Sequence, residues 1–452
     1  VKVVMTIKKA TTQQSLNQTI GFTAALSTVM GTVIGAGVFF KASQVTQITG
    51  STGLTILAWI IGGLITICAG LTVAELAAAI PETGGMMRYI ERTYGSLAAF
   101  LLGWAETIIY FPACIAALGI IFATQCLNLF GWPASWLIPI AVIVSASLTI
   151  LNFFGAKVGG FFQSFTMGFK LIPLAVIIIF GLFYHQPTTG QVALFSLKTT
   201  QSANLFEILG NGVLATLFAY DGWVHVGNIA GELRNPEKDL PKSIFLGLTG
   251  AMLIYVLINA VFLLVLPLTS IAGNANAASD VAHVLFGELG GKIVTVGILI
   301  SVYGAINGYT MTGMRIPYAM ALDNRLPFSR QLRTLSRTGV PLGCGLIQLA
   351  IAVGMIFFGG FNTLTDMLIF VIWIFYVLTF LAVFILRKRE PDMVRPYRAV
   401  WYPVVPLIAI IGGSYIVLNT LITQTGLAST GLGITLAGLP VYYYLEKRYH
   451  KG

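Results

Sequence analysis

Twelve apolar stretches run through this chain of 452 residues, each roughly the length of about 20 residues that a helix needs to cross a hydrocarbon layer. They cover about 17–48, 53–80, 96–128, 135–151, 158–184, 205–231, 243–266, 291–318, 341–358, 361–386, 403–423 and 429–445. Residues of the set AVILMFWYC make up 56% of the chain and charged residues 9%, against about 25% charged in a typical soluble domain. A soluble globule of this size has no means of covering itself with so little polar surface. The sequence therefore specifies an all-α integral membrane protein with 12 transmembrane helices. The polar N-terminus runs to Gln18, and the apolar stretch after it is far longer than the core of a signal peptide. Cys68, Cys114, Cys126 and Cys344 sit in or beside apolar segments, with neither metal-ligand spacing nor a disulfide framework.

The net charge of +10 does not indicate nucleic-acid binding, because the basic residues fall in short loops between spans. With the N-terminus in the cytoplasm, 22 of the 26 basic residues lie on the inner side. Only Lys198 and Lys292 lie outside, and Lys41 and Lys170 fall within spans. By the positive-inside rule both termini are cytoplasmic, which places the chain in a cell membrane as a multi-pass protein.

Two spans carry breaks. The first is 33 residues long to Thr49, about 50 Å as an unbroken helix, and its middle reads Gly31-Thr32-Val33-Ile34-Gly35-Ala36-Gly37. Three glycines in seven residues favour unwinding. The sixth reads Phe218-Ala219-Tyr220-Asp221-Gly222-Trp223, a carboxylate and a glycine at membrane depth. Spans one and six correspond if ten helices form two halves of five. Since five is odd, the second half is inverted, the pattern of transporters with paired broken helices at the midplane. The expected organisation is a cytoplasmic segment 1–16, a first repeat 17–184, a second, inverted repeat 205–386, peripheral helices 403–445 and a cytoplasmic C-terminus 446–452.

Broken helices expose backbone groups that lipid does not tolerate, so they must line a cavity. The outer half of span one begins near Gly37-Val38 with free N–H groups and a positive dipole end, which suits a carboxylate. The outer half of span six ends near Phe218-Ala219 with free carbonyls, which suits an ammonium. Together they suit a zwitterion, an α-amino acid held by its backbone. Gly35 and Gly37 leave room for the carboxylate. Candidate substrate-binding residues are Val33, Ile34, Gly35, Ala36, Gly37, Phe218, Ala219, Tyr220 and Gly222.

The glycine-rich break before Val38-Phe39, the Phe-Ala-Tyr-Asp-Gly-Trp core, and Gly231-Glu232-Leu233-Arg234-Asn235-Pro236 with Leu240-Pro241-Lys242 resemble the amino acid–polyamine–organocation superfamily. Within it the chain is similar to the L-amino acid transporter family, and most of all to bacterial alanine–serine–cysteine exchangers. The resemblance implies a leucine-transporter-type fold of ten core helices plus two peripheral ones, and alternating access. By the same analogy the Val33 and Phe218 carbonyls take the ammonium, and the Ala36 and Gly37 amides the carboxylate. Sodium-coupled relatives hold an ion between helices one and eight. Lys157, at the inner end of span five, reads either as a snorkelling lysine that helps set topology or, as the resemblance implies, as an ammonium in that place, donating to carbonyls near Gly31-Thr32 and to Ser301. Animal members carry a cysteine, bonded to a heavy subunit, in the loop after span three. Here that loop is Leu129-Phe130-Gly131-Trp132-Pro133, so no disulfide-linked partner is expected.

Asp221 reads as a cap or local acceptor, Glu106 as a proton site at most, and Glu75 and Glu82 as partners of nearby arginines. His225, Lys41 and Lys170 read as packing or snorkelling residues. No catalytic or phosphate-binding motif is present, and neither metal nor cofactor is expected. The reading is a sodium-independent exchanger of small neutral L-amino acids of the alanine, serine, cysteine and threonine class. Its rivals are a proton-coupled symporter using Glu106 or Asp221, and an exchanger of cationic amino acids or polyamines.

Overall fold

The computed structural model describes residues 21–35, 37–80, 85–184, 196–224 and 234–449. Among them every regular element is helical. In chain order these are α1 (Phe22–Val33), α2 (Gly37–Thr49), α3 (Thr52–Ala79), α4 (Met86–Tyr94), α5 (Ser96–Ala105), a π-turn (Glu106–Tyr110), α6 (Phe111–Phe130), α7 (Leu137–Phe153), α8 (Ala156–Leu182) and α9 (Leu205–Tyr220). There follow α10 (Pro236–Val265), α11 (Leu268–Ile271), α12 (Ala277–Gly313), α13 (Arg315–Leu322), α14 (Ser329–Leu332), α15 (Leu342–Phe358), α16 (Phe361–Arg389), α17 (Val404–Thr423), α18 (Thr425–Leu436) and α19 (Gly438–Tyr449).

A helix falls on each of the twelve apolar stretches. Seven helical runs among the described residues are individually long and apolar enough to cross a membrane, and α1 with α2 makes an eighth, bent by 46°. Most are apolar all round, as helices buried in lipid and protein are. The ends follow local chemistry. The Ser51 hydroxyl accepts from the Leu54 N–H at the start of α3, and Asn204 Oδ1 accepts from the Glu207 N–H at 2.8 Å at the start of α9. Gly131 closes α6 in the left-handed conformation. The eighth stretch begins as a helix earlier than its hydropathy suggests. Residues 277–286 are already helical, and Gly287, at φ +72°, sets the kink before the long apolar part.

The π-turn in the third stretch carries no hydropathy signal, but it has a local cause. Pro112 has no N–H to give the Ile108 carbonyl, and its ring crowds that carbonyl. Widening the turn just before it relieves both.

Lys41 does not snorkel. It is fully buried, and its ammonium donates to Asp366 Oδ1 at 2.8 Å and to Gln44 Oε1, while Gln44 Nε2 donates to Asp366 Oδ2 at 2.6 Å. The same ammonium lies 5.7 Å from the Phe218 ring centre and 5.2 Å from that of Phe361. The cluster joins α2 to α16 through an ion pair. Glu75 pairs as expected. Its carboxylate accepts from Arg387 Nε and Nη2 at 2.8 and 2.6 Å and from the Ala399 N–H at 2.7 Å, tying α3 to the end of α16 and the loop beyond it. Glu82 and His225 lie outside the described residues.

Candidate functional site

Helix α1 stops at Val33 and α2 starts at Gly37. The pause follows from Gly35-Ala36-Gly37. Helix α9 stops at Tyr220, where Asp221 turns extended (φ −70°, ψ 162°) and Gly222 takes φ +102°. Two glycines let these ends meet. A Cβ built on Gly37 would lie 2.9 Å from Ala219 Cα, so α2 begins against the backbone of α9. A Cβ on Gly222 would lie 2.9 Å from the Thr32 carbonyl oxygen, so the chain beyond α9 crosses the end of α1. Each break is closed by a glycine of the other.

The freed carbonyls have identifiable partners. The Tyr255 hydroxyl, on α10, sits 2.8 Å from the Val33 carbonyl oxygen and 2.9 Å from that of Ala219, donating its single proton between them. The C-terminal ends of α1 and α9 are thus drawn together, two negative dipole ends on one hydroxyl. The Lys170 ammonium, on α8, donates to the Gly31 carbonyl at 2.5 Å. Among the described residues, this is the lysine that meets the Gly31-Thr32 segment. Lys170 was read as a packing or snorkelling residue, whereas that contact was expected of Lys157, whose side chain lies outside those described.

A cavity of about 290 Å³ opens beside the two breaks, at the lower end of the range for ligand pockets (~300–1,000 Å³). Gly31, Thr32, Val33, Gly35 and Gly37 line one wall, and Phe218, Ala219, Asp221 and Gly222 a second. Phe111 and Leu118 of α6, Lys170 of α8, and α12 from Ala305 to Thr312 complete it. Of the expected substrate-binding residues, Val33, Gly35, Gly37, Phe218, Ala219 and Gly222 come together here. Ile34 is buried at the break, apart from the lining, and Ala36 lies outside the described residues. Tyr220 turns away. Its hydroxyl donates to the Trp59 carbonyl at 2.8 Å and its ring packs on Trp59 and Tyr255. Ser301 is buried on α12, and its hydroxyl finds no hydrogen-bond partner among the described residues.

Asp221 is a cap by position (3% exposed), and it is held from two other helices. Its Oδ2 accepts from the Tyr110 hydroxyl, in the last position of the π-turn, and its Oδ1 from the Tyr376 hydroxyl of α16 at 3.0 Å. Tyr110, Tyr255, Tyr376 and Lys170 are the residues that sequence reasoning missed. Their only signal is a polar tip inside an apolar span, a signal that many packing tyrosines share.

The arrangement binds rather than catalyses. It offers helix ends of opposite sign, backbone groups and an apolar wall. A family model described as "Amino acid permease" matches residues 20–443. The chain is 40% identical to "Serine/threonine exchanger SteT" of Bacillus subtilis (strain 168) over 440 residues, 97% of this chain and 99% of that protein. It is 29% identical to "Large neutral amino acids transporter small subunit 2" of Homo sapiens, covering 95% and 80% of the two chains. To "Asc-type amino acid transporter 1" of Mus musculus the identity is 28%, covering 96% and 82%.

Proposed function

The chain belongs to the amino acid permease family, and from that premise we propose that it is a sodium-independent exchanger of small neutral L-amino acids, serine, threonine, alanine and cysteine, working by alternating access. It is a transport protein and not an enzyme. The observation that carries the reading is the pair of helix ends at one small cavity. The carbonyl ends of α1 and α9 meet at Tyr255, while the N-terminus of α2 begins at Gly37 in the same wall. An ammonium seats at the carbonyls of Val33 and Ala219, with Phe218 nearby. A carboxylate takes the first N–H groups of α2, which have no partner within their own helix. The cavity's size admits a small side chain, and its aromatic and aliphatic wall suits a neutral one.

In this reading the helices form twelve spans, the first ten as two inverted sets of five with 17–184 and 205–386 as the repeats, in the cell membrane with cytoplasmic termini. The charge asymmetry of the loops supports that orientation. Lys170 takes the role first assigned to Lys157. Its fixed ammonium at the Gly31 carbonyl supplies the positive charge that a bound sodium ion would otherwise bring. No heavy subunit is disulfide-linked to the chain. Cys126 is buried in α6, out of reach of such a partner.

Purified protein in liposomes tests this. Liposomes loaded with unlabelled serine should accumulate labelled alanine at least about tenfold faster than empty ones, with or without sodium, because a carrier with no dissociable ion returns loaded. Equal uptake into empty liposomes under a pH gradient would instead identify a proton-coupled symporter that uses Asp221 or Glu106.

A further inference from the structure

In the account above the substrate's two charged groups are held at the helix breaks, by α1 and α9 on one side and the start of α2 on the other. Its side chain therefore points to the walls that the breaks leave over, those of α6, α8 and α12. Helix α8 contributes Lys170, whose ammonium is engaged at the Gly31 carbonyl. The surface left for the side chain is that of α6 and α12.

Helix α12 turns one face to the cavity. Ala305, Gly308, Tyr309 and Thr312 line it, with Met311 beside them, at the i, i+3, i+4, i+7 spacing of a single helical face, and each keeps some exposed surface. Ile306 and Asn307, on the other faces of the same turns, are fully buried, and Thr310 is 1% exposed. The open surface of this stretch is thus cavity surface. Ala305 and Gly308 bring little beyond backbone to it, so Tyr309 is the bulky group at their level. Its ring reaches from α12 to α6. The ring centre lies 6.4 Å from that of Phe111 at 62° and 6.3 Å from that of Tyr110 at 69°, and those two rings stand 4.9 Å apart at 90°. Three rings in mutual edge-to-face contact hold one another. Tyr110 is fixed further by its hydroxyl, which donates to Asp221. Phe111 has α12 pressed against its base, where a Cβ on Gly313 would lie 2.7 Å from Phe111 Cβ.

We propose that Tyr309 is a specificity-determining residue whose ring, a fixed partition between α12 and α6, sets the largest side chain the cavity accepts. The inference rests on the exchange reading and deepens it: the helix breaks hold any α-amino acid, and Tyr309 excludes those with branched aliphatic or aromatic side chains. A loosely packed side chain would swing aside for a larger ligand, whereas a ring packed on two others moves only by displacing them.

The experiment measures alanine, leucine and phenylalanine as competitors of labelled serine exchange in liposomes, and the readout is the ratio of their inhibition constants within each protein. Wild-type protein should favour alanine over leucine, and over phenylalanine, by about tenfold or more. In Tyr309→Ala both ratios should fall at least about tenfold, because the larger side chains enter the space that the ring vacates. Tyr309→Phe keeps the ring and should keep the ratios within about twofold. If Tyr309→Ala does not fold, Tyr309→Leu is measured instead and should lower the ratios at least about threefold. Three results would overturn the inference: a wild type that does not discriminate, ratios unchanged in the truncated variants, or ratios that collapse equally in Tyr309→Phe, which would make the hydroxyl and not the ring the determinant. A wild-type protein that exchanges no amino acid at all would overturn the transport reading instead, and is told apart by that absence.

Discussion

Replacing Lys41 by methionine is expected to cost about 3–5 kcal/mol of stability, measured by thermal or denaturant unfolding of the purified protein in detergent. The substitution leaves Asp366 buried with one donor, the Gln44 amide, and no counter-charge. Two opposing terms decide the size of the loss. The ion pair itself is worth little, because desolvating both charges cancels most of their attraction. Stranding one charge is a different matter, since the desolvation cost remains without its compensation. Asp366→Asn should be milder, because Lys41 keeps Gln44 and the two aromatic faces. The double variant Lys41→Met, Asp366→Leu should recover most of the stability. A single-variant loss below about 1 kcal/mol would mean that water reaches the pair, as at a surface salt bridge.

The second large effect is expected at Gly37. In Gly37→Val the Cβ would lie 2.9 Å from Ala219 Cα and 3.3 Å from Phe218 Cδ1, and backbone does not yield as a flexible side chain does. Overpacking of this kind costs about 1–3 kcal/mol. Here it is relieved by moving α2 off α9, which separates the two halves of the site. Exchange should fall by about a hundredfold or more while the protein remains folded, since the strain is a fraction of a typical stability of about 5–15 kcal/mol. Gly35 provides the contrast. A Cβ there meets nothing nearer than the Val33 carbonyl oxygen at 3.8 Å, and it points into open cavity. Gly35→Ala should therefore leave stability unchanged and raise the KM. Kinetics and a melting curve on both variants check the pair. A Gly37→Val protein with wild-type KM would remove α2 from the site.

The breaks were legible because backbone chemistry writes them locally. Gly35, Gly37 and the Asp221-Gly222 pair favour a break, and α1 ends, α2 begins and α9 ends beside them, while Gly31 stays inside α1. Side chains that arrive from other helices were not legible. A span apolar on every face gives no hydrophobic stripe from which to read its rotation, so nothing in the sequence turns Tyr255 toward Val33 or Tyr376 toward Asp221. Lys157 and Lys170 illustrate the limit. Both lie on α8, separated along its axis by about 20 Å, and only the packing of α8 against the other helices decides which of them reaches Gly31. Lys41 misled for the same reason. Its partner Asp366 is 325 residues away, and a lone lysine near a helix end ordinarily snorkels.

The claim on which the rest depends is that the substrate is held by its two backbone charges, between the carbonyl ends of α1 and α9 and the N-terminus of α2. Competition against labelled serine exchange tests it most directly. L-alanine should compete, whereas alanine methyl ester and N-acetylalanine should each lose about a hundredfold or more in affinity, because each removes one charge matched to a helix end. A methyl ester that competes as well as alanine itself would contradict the account.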